Sequence, residues 1–475
     1  MIGCGLMKKD KLVFVLFGLI LGLSVAYAAE LINSTDISFS NGATNLKANN
    51  VQDAIEELYD KTISDSSCKN VSAPKLGEGL VPVTIENDGT VKYADTTKSW
   101  YNYCDKRWAN AVILEDNASY NVGDTISESD IQSYFVWIPK YKYKLWNVDK
   151  ASKNVHEIDI VFDETNTTDA QGASCKTPMT SGESGNCNNG EYMTHPAFIS
   201  MNTNGFWVGK YETGYKGATS TAAAQVNAND TSKVIIKPNV YSWRNINVYN
   251  AFLNSYNYKR ELDSHMMKNT EWGAVAYLSH SKYGINAEIN INNNSSYKTG
   301  YSALPSTNQQ TYLGTSGDGA TYNSAYNTDI GYLASTSGNI SGVYDMSGGA
   351  WEYMSSYITG KPGLSGFSTT TLANYDSKYF DIYNASSAIS TYQYRILGDA
   401  TGEMGPFKQY LDGDNTSRWH SSWYGDHSYF VDSSGPWFIR GGHYPHGVLA
   451  GAFFFDRYTG GTNSNAGFRL VLSAA

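Results

Sequence analysis

The sequence predicts an α+β fold, rich in strands and loops, with two main helices. Three observations predict it. Short apolar runs are separated by Asn, Asp and Gly turn signals, and only two long stretches space their apolar residues helically. The composition, with 37 Tyr, 41% hydrophobic and only 17% charged residues among 475, suits strands with uncharged polar surfaces.

The first element is an export signal. Lys8, Lys9 and Lys11 precede an uncharged run over residues 12–29, and Ala26-Tyr27-Ala28 fits a small-x-small cleavage site. Residues 1–28 therefore read as a signal peptide or, uncut, as an N-terminal membrane anchor, since a span needs roughly 17 to 25 apolar residues. Cleavage is the favoured reading. Residues 29–70 form a polar stalk with one short helix: Val51, Ala54, Ile55 and Leu58 share a face behind Asn50 as N-cap. So short a helix must pack on something, which makes residues 51–62 a candidate homo-oligomer contact or a dock on the main domain. Cys4 precedes the apolar run. Cys68, Cys104, Cys175 and Cys187 follow the signal; an even number outside the cytoplasm favours disulfides of undecided connectivity, and no CxxC pair suggests zinc.

Residues 71–130 read as a β-rich lead-in, with Leu80-Val81-Pro82-Val83-Thr84-Ile85, Thr90-Val91-Lys92-Tyr93 and Ala111-Val112-Ile113-Leu114 as strands. Residues 153–190 are loop-like. One helix is expected over 245–256, through Ile246, Tyr249, Phe252 and Leu253. A second is expected over 269–279, with Asn269 as N-cap and Glu271 in the first turn. Residues 284–332 and 359–429 are long, turn-rich stretches, of the kind that carry function in compact domains. The net charge of −10, with no basic run beyond the N-terminal lysines, excludes nucleic acid as a partner.

The C-terminus supplies the functional signal. Trp437-Phe438-Ile439-Arg440-Gly441-Gly442-His443 opens, and Ala466-Gly467-Phe468-Arg469-Leu470-Val471-Leu472 closes, a stretch that does not alternate as a buried strand should. With Ser341-Gly342-Val343-Tyr344-Asp345-Met346-Ser347-Gly348-Gly349-Ala350-Trp351-Glu352-Tyr353, Asn269-Thr270-Glu271-Trp272-Gly273 and the weaker Phe135-Val136-Trp137-Ile138-Pro139 and Gly205-Phe206-Trp207-Val208-Gly209, these blocks resemble, in order, the formylglycine-generating enzyme (sulfatase-modifying factor) family. The resemblance covers about residues 131–472. It implies a C-type-lectin-like domain over 131–475, with two helices beside a twisted sheet.

The family's oxidase chemistry needs two cysteines just beyond the Arg-Gly-Gly block, where their thiolates bind copper(I). Residues 443–457 contain no cysteine, so the catalytic reading fails on this sequence. A replacement metal at His443 and His446, with Asp456 as third candidate, lacks a ligand of known position. The family's calcium turn, Gly-Asn-x-Trp-Glu, matches Gly348-Gly349-Ala350-Trp351-Glu352. Gly349 has removed the Asn ligand, while Glu352 stays as a weak calcium candidate and Trp351 is expected to fill the core. Arg440 and Arg469 are expected to fix the terminal strands.

Between those arginines, His443, Tyr444, His446, Phe453, Phe455, Asp456, Arg457, Tyr458, Asn463 and Asn465 alternate with small residues, as anchors and spacers do in a paratope. The pattern also resembles the variable region of diversity-generating-retroelement target proteins. One or two of Phe453, Phe454 and Phe455 are expected in a buried strand. Trp419, Trp423 and Tyr424 on the preceding loop extend the expected contact surface. The function expected is thus non-catalytic binding of a protein or glycan at a cell surface by an exported protein. Its alternatives are a metal-dependent oxidase and a purely structural surface or fibre component.

Overall fold

The computed structural model describes residues 50–54, 70–148, 154–164, 189–303, 323–383, 397–404 and 420–473, and the chain divides into two units, residues 1–66 and 67–475. In the first, residues 51–54 are helical behind Asn50, whose Oδ1 accepts the Asp53 N–H at 2.8 Å while its carbonyl accepts that of Ala54 at 3.0 Å. The rest of the 51–62 helix, the signal segment, Trp419, Cys4, Cys68, Cys175 and Cys187 lie outside the described residues. Cys104 is disulfide-bonded. Among the described residues no helix is long and apolar enough to cross a membrane.

The second unit is strand-rich with few helices. Strands β1 (Leu80–Ile85), β2 (Val91–Tyr93), β3 (Asn110–Leu114), β4 (Thr125–Ile126), β5 (Ile131–Pro139), β6 (Gly205–Gly209) and β7 (His265–Met266) belong to one sheet. Strands β8 (Trp351–Ile358), β9 (Asp381–Tyr383), β10 (His420–Ser421), β11 (His427–Ser428), β12 (Trp437–Gly441), β13 (Gly451–Tyr458) and β14 (Ala466–Phe468) form another, and β15 (Leu470–Leu472) returns to the first. The spatial orders are β7-β15-β6-β5-β3-β1-β2-β4 and β9-β8-β12-β13-β11-β10, with β14 paired in parallel to β8. The strands of 71–130 thus pair straight onto β5, Val112 opposite Tyr134, in one sheet with β6. A small third sheet holds Tyr141–Lys144, Ile160–Phe162 and Tyr192–Thr194, so the stretch read as loop from 153 contributes a strand.

Three helices matter for the site. α1 (Pro196–Met201) starts at His195, whose Nδ1 accepts the Ala197 N–H at 3.3 Å. α2 (Val248–Tyr258) starts at Asn247, whose Oδ1 accepts the Asn250 N–H at 2.9 Å, two to three residues later than the sequence suggests. α3 (Asn269–Ser279) is buried on every face. Its N-cap is Lys268 rather than Asn269: Glu271 accepts the Lys268 N–H at 2.9 Å, and the Asn269 side chain is engaged by Tyr383 at 2.8 Å and by Arg440 at 2.6 Å. A fully enclosed helix has no polar face, so its period carries little information.

One residue, Arg469, separates β14 from β15, and there the chain crosses from one sheet to the other. Its guanidinium donates to the Gly209 carbonyl on β6 at 2.8 Å and to both oxygens of Glu352 on β8 at 2.8 and 2.5 Å. The fork therefore ties both sheets at the crossing. Arg440 fixes a second joint, donating to Asn269 and to the carbonyls of Asp399, Ala400 and Phe454. Both arginines do what the resemblance implies.

Candidate functional site

The frame around the expected display stretch forms as the sequence suggests. β12 ends on Gly441 (φ 81°) and Gly442 (φ 76°), left-handed backbone that a side chain resists. A Cβ on Gly442 would also lie 2.6 Å from that of Ala450. The chain turns through Tyr444–Leu449 and re-enters the sheet as β13.

β13 corrects much of the expected surface. It lies between β12 and β11 with both faces covered, so Phe453, Phe454 and Phe455 are all buried rather than one or two of them. Phe453 packs on Trp423 and His280, Phe454 on His427 and His446, and Phe455 on Phe430 and Phe438. Phe453 and Phe455 are therefore core residues, each contributing about 1.5–3 kcal/mol by burial. Trp423 is 0% exposed, stacked on Trp146 with ring centres 5.7 Å apart. His446 and Asp456 are buried too, and Asp456 faces His427 at 3.4 Å. Arg457 turns to Asp432 and lies over the Tyr429 ring.

The calcium expectation at Glu352 is likewise corrected. Both its oxygens are taken by the Arg469 guanidinium, a cation where calcium would need a free carboxylate. Glu212 fills the place of the missing Asn: its carboxylate accepts the Ala350 N–H at 2.8 Å, and a Cβ on Gly349 would lie 2.2 Å from Oε1. Among the described residues no three His, Cys, Asp or Glu side chains converge as a metal requires.

His443, Tyr444, Tyr458, Asn463 and Asn465 stay half-buried at the surface. They join residues the sequence did not connect with them. The Arg244 guanidinium lies 3.7 Å from the centre of Tyr297, which meets Tyr444 at 4.9 Å; Tyr444 is 6.0 Å from His443. His443 stacks on Trp351 at 4.4 Å, and Trp351 is followed by Tyr458 at 6.3 Å. Asn465 accepts the Tyr297 hydroxyl at 2.6 Å, and Asn463 accepts the Asn465 N–H at 2.7 Å, so the two asparagines brace the row. Trp351 is nearly buried as expected, at 9% exposure, yet its ring belongs to this surface.

Three polar atoms of the row have no hydrogen-bond partner among the described residues: Arg244 Nε, Trp351 Nε1 and His443 Nδ1. Native proteins pair nearly all such atoms, so three together mark a place where buried polar groups beneath the row are incompletely matched. Burial lowers the His443 pKa to about 4, and burial with His443 and His427 nearby holds His446 well below its usual range. At neutral pH the row is therefore uncharged apart from Arg244. It can stack on a ligand and donate directional hydrogen bonds.

No family model matches the chain, and no curated protein matches it. Among solved structures it is similar to the Major Tropism Determinant I1 variant, at 13% identity and a TM-score of 0.29 over 85% of this chain and 74% of that one. It is also similar to the Major Tropism Determinant P3c variant, at 14% identity and a TM-score of 0.26 over the same shares of the two chains. At such scores the likeness carries no argument about the site.

Proposed function

We propose that this chain is a non-catalytic recognition protein on a C-type-lectin-like platform, exported and displayed at a cell surface, where it binds a protein or glycan. The lectin-like assignment rests on the ordered motif blocks, and export on the pattern of residues 8–29. The observation that carries the binding reading is the aromatic row Tyr444–His443–Trp351–Tyr458, in which His443, Tyr444 and Tyr458 are half-buried at the surface and stacked on buried neighbours. A side chain that already stacks on its neighbours loses little entropy when a ligand covers it, so such rows make strong contacts.

Replacing His443, Tyr444 and Tyr458 together by Ala tests this reading. Binding to a panel of candidate cells and glycans should fall by about 2 kcal/mol per anchor at the centre of the contact, while the variant stays folded with only a small loss of stability. Undiminished binding by a folded triple variant sinks the assignment.

A further inference from the structure

A narrow cleft opens where the C-terminal end of α3 meets residues 287–289, residues 424–426 and the start of β13. Ser279, His280, Glu288, Tyr424, Asp426 and Phe453 line it, and it leaves room for the centre of about one water-sized group, ≈ 10 Å³. Asp426 is 1% exposed. Its Oδ2 accepts the Phe453 N–H at 2.9 Å, while Oδ1 has no hydrogen-bond partner among the described residues. Residue 451 must be glycine for this carboxylate to sit here, because a Cβ would lie 2.1 Å from Oδ2 and 2.3 Å from Oδ1.

Glu288 stands half-buried at the mouth, and among the described residues neither carboxylate has a Lys or Arg partner. Burial and the nearby Glu288 push the Asp426 carboxyl well above its usual range. A buried and a half-buried acid without a cation beside them are costly, and an incoming positive charge would relieve that cost.

The walls narrow the class of cation. The Tyr424 and Phe453 rings are near-parallel, 24° apart with centres at 6.3 Å, and the Tyr424 hydroxyl lies 3.2 Å from His280 Nε2. Tyr424 is held at φ 63°, an uncommon conformation for a residue with a side chain and one that clusters at ligand sites. Among the described residues no three His, Cys, Asp or Glu side chains converge here as a metal ion requires, whereas the ring faces attract an alkylammonium and an NH₃⁺ head brings three donors to the acids. The single-group space takes an ammonium head but no sugar ring, which leaves an unbranched stem to run out along the mouth of the cleft.

We propose that this cleft seats an unbranched primary alkylammonium group of the lysine side-chain type. Its head donates to Asp426 and Glu288, and its stem lies against Tyr424 and Phe453. Ligand-observed NMR on the full chain tests this with three probes: n-butylammonium, the neutral N-butylacetamide, and glucosamine. Saturable binding of butylammonium alone is expected, weakened roughly tenfold or more by Glu288→Gln and by Asp426→Asn, as loss of a partly buried charge partner requires. The proposal fails if wild type shows no saturable butylammonium binding, if the neutral amide or glucosamine binds as well, or if folded Glu288→Gln binds undiminished. That last variant, at the mouth, keeps the test decisive should Asp426→Asn not fold. These probes need no ligand on the aromatic row, so failure here leaves the recognition reading standing.

Discussion

At Arg469 the guanidinium meets Glu352 and the Gly209 carbonyl within 2.8 Å, whereas one residue away on β8 the Trp351 Nε1 has no partner among the described residues. Trp351 and Glu352 are consecutive, so the strand's alternation sends them to opposite faces. One face closes on the seam between the sheets; the other carries the aromatic row. Platform and aromatic row are thus two sides of the same strand, told apart by whether their polar atoms are matched. Seam substitutions should therefore cost folding, and row substitutions should cost binding.

The largest expected effect breaks the seam. Arg469→Met removes the partner of buried Glu352, with Asp345 already adding negative charge beside it. Breaking a buried pair from one side typically costs about 3–5 kcal/mol. Guanidinium denaturation should show a loss of that order, and a loss below about 1 kcal/mol would erase the distinction between the two faces.

A second effect concerns pH. The folded-state pKa of His443 is depressed from 6.5 to about 4, chiefly by burial. Its contribution is therefore complete above pH 6.5, where it is neutral both folded and unfolded, and is lost as pH falls from 6.5 towards 4. Glu403, buried with the Tyr143 and Tyr277 hydroxyls upon it, has its pKa raised to about 7 and acts oppositely, losing its contribution as pH rises from 4.5 through 7. Comparing wild type with His443→Asn isolates the histidine: their difference in stability should shrink between pH 6.5 and 4. A difference independent of pH would contradict its neutral state in the fold.

The smallest effect sharpens the comparison from the row's side. Tyr444→Ala removes a half-buried ring resting on Tyr297 and should cost about 1 kcal/mol or less, within the range of partly exposed side chains. A cost near that of Arg469→Met would make the row part of the platform.

The frame was legible from local pattern. Leu80–Ile85 is bounded as its alternation and turns suggest, and Gly441 and Gly442 take the left-handed backbone that their pairing implies. The site was half legible. His443, Tyr444 and Tyr458 could be found because large residues among spacers stand out. Phe453, Phe455 and Trp423 misled because an interior strand covered on both faces carries no alternation to separate core from surface. Arg244, Tyr297 and Trp351 come from 90 to 200 residues upstream of residue 444, and a single sequence holds no signal that pairs positions so distant. Asp426 gave no signal either, since its meaning depends on the absent side chain of Gly451.

The crossing at Arg469 also sets an order of events. Val471 pairs with Val208 on one side and His265 on the other, so β6 and β7 have no neighbour between them until residues 470–472 arrive. A chain made from its N-terminus therefore holds two open strand edges from the emergence of β7 until that of β15, edges that invite pairing with other chains. Residues 470–472 close them, and Arg469 beside them ties both sheets. A chain cut before residue 466 therefore lacks β14 and β15, and with them one strand of each sheet.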